Sequence, residues 1–249
     1  MIDPNSIRRV VRLAGIDSGD RVIEVGAGLG TLTMALSEAA SQVVAVELDR
    51  KLVPALQRVT GGLPNVTVVQ ADALGLDWAG LLAGRPHRLV SNLPYNIATP
   101  LVATLLAEVP AIFDITAVVQ REAGERFAAP PGSKTYGGIS VLVAYYCAIK
   151  AMGKVPPTVF WPQPSVDSVV VRMSRHPPPV EVNPEKLMKV VRAAFSQRRK
   201  TIRNSLPAAL GLDLAEVQDL LRRSGVDSSR RAESLTLEEF ARIANEMIS

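Results

Sequence analysis

Short apolar runs alternate with helix-like runs over about the first 150 residues, and this rhythm limits the possible folds more than any other feature. RVIEV (Arg21–Val25), VVAVE (Val43–Glu47), VTVVQ (Val66–Gln70), HRLVS (His87–Ser91) and DITAVVQ (Asp114–Gln120) are rich in β-branched residues and predict strands. TLTMALSEAA, LDRKLVPALQRV and LVATLLAE lie between them with apolar positions at helical spacing. PNSIRRVVRLAG (Pro4–Gly15) precedes the first strand as a helix closed by glycine. Such a βαβ succession predicts an α/β fold, a mostly parallel sheet covered by helices on both faces.

Later segments break the rhythm. REAGERF predicts a short helix, APPGSKTYGG (Ala129–Gly138) a loop, and ISVLVAYYCAI another helix. VDSVVVRM (Val166–Met173) alternates in a way that predicts an antiparallel partner. RHPPPVEVNP (Arg175–Pro184) is proline-rich and polar, and from about Glu185 only helical patterns follow. The expected organisation is a first domain over 1–176, a linker over 177–184 and an all-helical domain over 185–249.

Nearly half of the 249 residues are apolar, which argues against disorder and for a sizeable core. No apolar run reaches the ~18 residues of a membrane span, and the polar, helix-like N-terminus predicts no signal peptide. Cys147 is the single cysteine, so no internal disulfide can form and a cytoplasmic location is expected. With only His87 and His176 beside it, a Cys/His metal site is not expected. Nothing suggests a large apolar interface, so the expectation is a monomer.

Ligands of an open parallel sheet sit beyond the carboxyl ends of its strands. The first strand ends in GAGLG with Gly26, Gly28 and Gly30, the second in Glu47, the third at Asp72 and the fourth at Asn92. Successive spacings of 21, 25 and 20 residues are each about one βα unit, so the four converge on one sheet edge. The glycines let backbone pass close under a ligand. Thr31 stands where the dinucleotide fingerprint needs its third glycine. Glu47 suits a ribose diol, and Asp72 can accept from an adenine amine. Without a phosphate-binding lysine, the set fits S-adenosylmethionine better than ATP.

The fourth strand leaves through SNLPYNIATP (Ser91–Pro100). Asn92 offers a side-chain oxygen, Leu93 or Pro94 a backbone carbonyl, and Tyr95 a flat face. Two acceptors on the hydrogens of an exocyclic amine favour a pyramidal nitrogen whose lone pair can meet a methyl sulfonium. Pro94 stiffens the loop, and Tyr95 can stack on a base taken out of its helix. The plainer reading is a proline turn with a packed tyrosine.

EVGAGLGTLT, AVELDR, QADAL, SNLPYNIATP, KTYGGISVLVAYY, VPPTVFWPQPSVDSVVVRM and AFSQRRKTIRNSL occur in this order, and together they resemble the ribosomal RNA adenine N6,N6-dimethyltransferase family. The resemblance covers essentially the whole chain. It implies a Rossmann-like S-adenosylmethionine-dependent methyltransferase fold with a small all-helical C-terminal domain. It also implies dimethylation of two adjacent adenosines near the 3′ end of small-subunit rRNA, within an assembling ribosomal subunit. By position, Gly26, Gly28, Glu47, Asp72 and Asn92 match cofactor contacts. Asn92, Pro94 and Tyr95 match the catalytic loop, and Phe160 matches an aromatic on the other face of the adenine. The chain begins at MIDPNSIRR, where the family's basic segment before the first helix should have ended. That departure predicts weaker cofactor binding.

Lys186, Lys189, Arg192, Arg198, Arg199, Lys200 and Arg203 lie in a stretch without acids. Arg198, Arg199, Lys200 and Arg203 are the expected RNA contacts, and a solvated helix face is the plainer reading. Competing functions are a large-subunit rRNA adenine methyltransferase of the antibiotic-resistance type and an assembly factor with weak catalysis. A Rossmann dehydrogenase fails on the missing third glycine.

Overall fold

The computed structural model describes residues 3–197 and 199–247. The chain divides into two compact units. One comprises Met1–Gly124 with Ala148–Arg175, the other Glu125–Cys147 with His176–Ser249. This division differs from the expected boundaries, because Glu125–Cys147 groups with the C-terminal residues.

The first unit is built on a seven-stranded sheet: β1 (Arg21–Val25), β2 (Gln42–Glu47), β3 (Val66–Gln70), β4 (His87–Asn92), β5 (Ile112–Gln120), β6 (Cys147–Val155) and β7 (Ser168–Arg175). Their spatial order is β3-β2-β1-β4-β5-β7-β6. β1 through β5 pair in parallel, while β7 runs antiparallel to β5, as the alternation of VDSVVVRM predicts. The strand order reverses between β1 and β4, where an open sheet forms its ligand crevice.

The central strands β1, β2 and β5 are almost wholly buried, in keeping with helices on both faces. Helices α1 (Pro4–Ala14), α2 (Thr31–Ala39), α3 (Val53–Thr60), α4 (Trp78–Leu82) and α5 (Ala98–Glu108) belong to this unit. α1 starts as its sequence dictates: Pro4 occupies the first turn and the Asp3 carboxylate accepts the Ser6 N–H at 2.7 Å. Gly15 closes the helix in the left-handed region at φ 61°. Ile7 and Val10 of α1 and Leu32 and Leu36 of α2 pack with Val22, Val43, Val90 and Val118 of the sheet.

One element departs from expectation. The helix expected through ISVLVAYYCAI stops at Tyr146, and Cys147–Val155 forms β6. β6 lies at the sheet edge, with Lys150, Gly153 and Lys154 in it and no clean alternation of burial. Lysines protect an open edge from unwanted pairing, and they also erase the period-2 signal of a strand.

α6 (Arg121–Phe127) follows β5 and divides between the two units. The second unit contains α7 (Gly138–Tyr146), α8 (Pro184–Phe195), α9 (Ile202–Leu210), α10 (Leu214–Arg223) and α11 (Leu237–Asn245). Tyr136, Tyr145, Leu187, Leu206, Leu220 and Phe240 form its core. The expected linker is an ordered part of this unit: Val180 and Val182 pack on the core, and Asn183 caps α8 through the N–H groups of Glu185 and Lys186. Tyr136 of the expected loop is likewise buried, its hydroxyl donating to the Leu235 carbonyl at 3.0 Å.

Candidate active site

The site forms at the carboxyl ends of the first four strands of the sheet. After β1 the chain turns through the glycine loop. The N–H groups of Gly26 and Ala27 both donate to the Val46 carbonyl, at 2.8 and 3.3 Å, which fastens the loop to the end of β2. Gly26 sits at φ 74°, and a Cβ there would lie 3.0 Å from Pro94 Cγ. Backbone and proline ring therefore meet where only glycine fits.

Glu47, 7% exposed, ends β2 with each carboxylate oxygen already holding one donor. Oε2 accepts the Gly28 N–H at 2.7 Å and Oε1 accepts the Asp49 N–H at 2.9 Å. A carboxylate has about four acceptor positions, so two remain for hydroxyls of a ligand. Asp72 is exposed after β3, with Oδ1 accepting the Leu74 N–H at 3.0 Å. Gly26, Glu47, Asp72 and Pro94 line one cavity of about 590 Å³, joined by Leu48, Asp49, Ala73, Leu74, Asn96 and Ile97. Gly28 is not in its wall; it acts by holding Glu47.

A second cavity of about 210 Å³ also has Pro94 in its lining. Its lining is Asn92, Leu93, Pro94, Tyr95, Phe160, Trp161, Pro162 and Pro164. Pro94 is thus a wall common to both spaces. Asn92 lines the second cavity and not the first. Its Oδ1 is buried and has no hydrogen-bond partner among the described residues. A buried carbonyl oxygen without a donor costs roughly 1–3 kcal/mol, so this oxygen keeps an acceptor position open beside the cavity. The Pro94 carbonyl is occupied, accepting the N–H groups of Ile97 and Ala98 at 3.1 Å each. No described residue donates to the Leu93 carbonyl, which leaves it as the second acceptor of the loop.

The aromatic pair is held in place. The Tyr95 hydroxyl bonds Ser168 Oγ at 2.9 Å, tying the loop to the start of β7. Phe160 is 7% exposed and packs on the sheet core, while also lining the second cavity. Phe160 thus belongs to the core and also borders the second cavity.

Several residues escaped sequence reasoning. Glu24 lies in β1, two residues before Gly26, and is 2% exposed. The Thr33 hydroxyl donates to its Oε2 at 2.5 Å. Burial pushes the Glu24 carboxyl up to about 8; the Thr33 hydroxyl opposes this and the nearby Glu47 adds to it. An acid inside an otherwise apolar strand was the available signal. Ser168 and Trp161 gave none, since one reads as a strand residue and the other as part of a proline loop.

In the second unit Arg199, Lys200 and Arg203 are exposed and make no ion pair among the described residues. Arg198 lies outside the described residues. Among the described residues no group of His, Cys, Asp and Glu could hold a metal ion, and no helix is long and apolar enough to cross a membrane.

A family model described as ribosomal RNA adenine dimethylase matches residues 1–249. A protein of Kineococcus radiotolerans named ribosomal RNA small subunit methyltransferase A is 46% identical over 249 residues, covering 98% of this chain and 82% of that one. One of the same name from Moorella thermoacetica is 42% identical over 255 residues, covering 98% and 88%. Among solved structures, the 23S rRNA methyltransferase ErmE aligns with a TM-score of 0.71 at 27% identity, over 98% of this chain and 97% of that one. A dimethyladenosine transferase from Plasmodium falciparum aligns with a TM-score of 0.79 at 22% identity, over 98% and 95%, a likeness of fold. With a match across its whole length and relatives above 40% identity over nearly all of it, the chain belongs to the ribosomal RNA adenine dimethylase family.

Proposed function

We infer that the chain transfers methyl groups from S-adenosylmethionine to N6 of two adjacent adenosines near the 3′ end of small-subunit rRNA, in an assembling subunit. The observation that carries this reading is the buried, unpartnered Asn92 oxygen in an aromatic cavity that shares the Pro94 wall with a nucleoside-sized space.

The residues of the larger cavity fit the cofactor. Glu47 keeps acceptor positions that suit ribose hydroxyls, Asp72 lines the same cavity and can accept from an adenine amine, and Gly26 gives a close backbone floor. When bound, the cofactor supplies an electrophilic methyl on a sulfonium. The protein's part is to shape the nucleophile. An adenine N6 is a poor nucleophile because its lone pair is delocalised into the ring. Asn92 Oδ1 and the Leu93 carbonyl accept its two hydrogens and favour a pyramidal nitrogen, whose lone pair is then free to attack. Tyr95 and Phe160 clamp the flipped base, and stacking of this kind is worth about 1–3 kcal/mol per base. An alkylated N6 would be strongly acidic, so its proton would leave to water and the site needs no strong base beside Asn92. Positioned acceptors of this type contribute roughly 10²–10³ in rate.

The exposed Arg199, Lys200 and Arg203, with Arg198 beside them in sequence, supply phosphate contacts to the rRNA. The test is incubation with unmethylated small ribosomal subunits and labelled S-adenosylmethionine, followed by mass spectrometry of the digested RNA. N6,N6-dimethyladenosine in small-subunit RNA is expected. The likeness to a 23S rRNA methyltransferase favours a second reading, a large-subunit target. Label appearing only in large-subunit RNA would replace the first reading with it.

A further inference from the structure

Trp161 is the most exposed large apolar side chain among the described residues, at 81%, yet it lines the cavity that holds Asn92 and Tyr95. Its neighbour Phe160 is buried in the same wall. The reason is backbone geometry. Phe160 is extended at φ −112°, ψ 152°, so consecutive side chains point to opposite sides. One ring enters the core side of the cavity and the next stands at its mouth.

The loop around Trp161 is stiff. Pro156, Pro157, Pro162 and Pro164 fix four backbone angles within nine residues. A turn of 3₁₀ helix at Pro157–Val159 is closed by the Phe160 N–H donating to the Pro157 carbonyl at 3.2 Å. A tryptophan can bury about 150–250 Å² on contact, and here that surface is left in water on a proline-braced backbone. Rigid exposed aromatics beside a pocket are characteristic binding anchors.

Resting on the function proposed above, we propose that Trp161 is a positioning residue that stacks on the base of the nucleotide next to the target adenosine. With the target base held between Tyr95 and Phe160, its neighbour in the strand is displaced from its own stack at the cavity mouth. The indole offers that neighbour a replacement face. Stacking is tolerant of base identity, so Trp161 sets the position of the strand more than its sequence.

The experiment combines steady-state kinetics on unmethylated small ribosomal subunits with fluorescence on a single-stranded oligoribonucleotide bearing a central adenosine. Trp161→Ala is expected to raise KM for subunits about ten-fold, the fold-change of one lost base stack, and to leave kcat nearly unchanged. Trp161→Phe should recover most of the loss, because a ring remains. Trp161 and Trp78 are the only tryptophans, and Trp78 is buried. The oligonucleotide should therefore quench the wild-type emission and leave the Trp161→Phe emission unchanged. Removing the bases on both sides of the central adenosine should abolish the quenching. Either of two results would overturn the proposal: KM unchanged in Trp161→Ala, or KM raised for subunits while the oligonucleotide leaves Trp161 emission unaltered. The second would assign the indole to a ribosomal protein. Failure of the underlying function is separate, since wild-type protein would then transfer no methyl group.

Discussion

Replacing Gly26 by alanine should damage catalysis more than stability, and the comparison with Gly28→Ala isolates the cause. Both glycines are left-handed, at φ 74° and 58°. Holding alanine there costs about 1–2 kcal/mol, and the less flexible unfolded chain returns about 0.4–1 kcal/mol, so each variant should lose about 1 kcal/mol. For a chain of this size that lowers the melting temperature by about 2–4 °C. The surroundings then separate the two. A Cβ at position 28 meets nothing within 4 Å, whereas one at 26 stands 3.0 Å from Pro94 Cγ and 3.1 Å from Pro94 Cδ. The proline ring cannot bend away, so it moves by a few tenths of an ångström and takes the Asn92–Tyr95 loop with it. Misplacement of catalytic groups by about 1 Å costs about 10² in rate, so a shift of this size should lower kcat roughly ten-fold in Gly26→Ala. Gly28→Ala should keep kcat close to wild type. Melting curves and methyl transfer at saturating cofactor measure both quantities. Equal kcat values for the two variants would refute the reasoning, because the proline contact would then have no bearing on the catalytic loop.

Other outcomes follow from the same geometry. Glu24 has a folded-state pKa raised from 4.5 to about 8, so its contribution to stability is complete below about pH 4.5, declines as pH rises, and is gone above about 8. Burial depresses the pKa of His87, which tilts the profile the opposite way below 6.5, so the measured quantity is the difference between wild type and Glu24→Gln in urea unfolding at each pH. That difference should change steadily between pH 4.5 and 8; a flat difference would remove Glu24 as the cause. Ser168→Ala should release Tyr95 and raise KM for RNA several-fold without altering cofactor affinity measured by calorimetry. Charge reversal at Arg199 and Lys200 should weaken subunit binding and reduce its salt dependence, and an unchanged salt slope would take this patch out of the interface.

The parallel sheet and its antiparallel β7 were legible because buried strands leave β-branched runs and half-buried ones leave alternation. β6 was not, since an edge strand carrying Lys150, Gly153 and Lys154 shows neither pattern. The unit boundary escaped for a different reason. Glu125–Cys147 groups with the C-terminal residues through tertiary contacts such as Tyr136 with the Leu235 carbonyl, about a hundred residues away in sequence. At the site, spacing of one βα unit brought Gly26, Glu47 and Asp72 to a single cavity, because chain connectivity in a parallel sheet returns every strand end to the same edge. The division of labour was not legible. Asn92 lines the second cavity and Gly28 lines neither, a split that no spacing in the sequence marks. Ser168 and Trp161 act through positions far along the chain from NLPY, with no local pattern to mark them.

The most direct measurement compares wild type with Asn92→Ala in single-turnover methyl transfer to unmethylated small ribosomal subunits, alongside calorimetric titration with S-adenosylmethionine. Asn92 lines the base cavity and not the larger one. The rate in Asn92→Ala should therefore fall by about 10²–10³ with cofactor affinity essentially unchanged. A variant that still methylates at near the wild-type rate, or one whose loss is explained by weaker cofactor binding, would contradict the assignment of the Asn92 oxygen to the target amine.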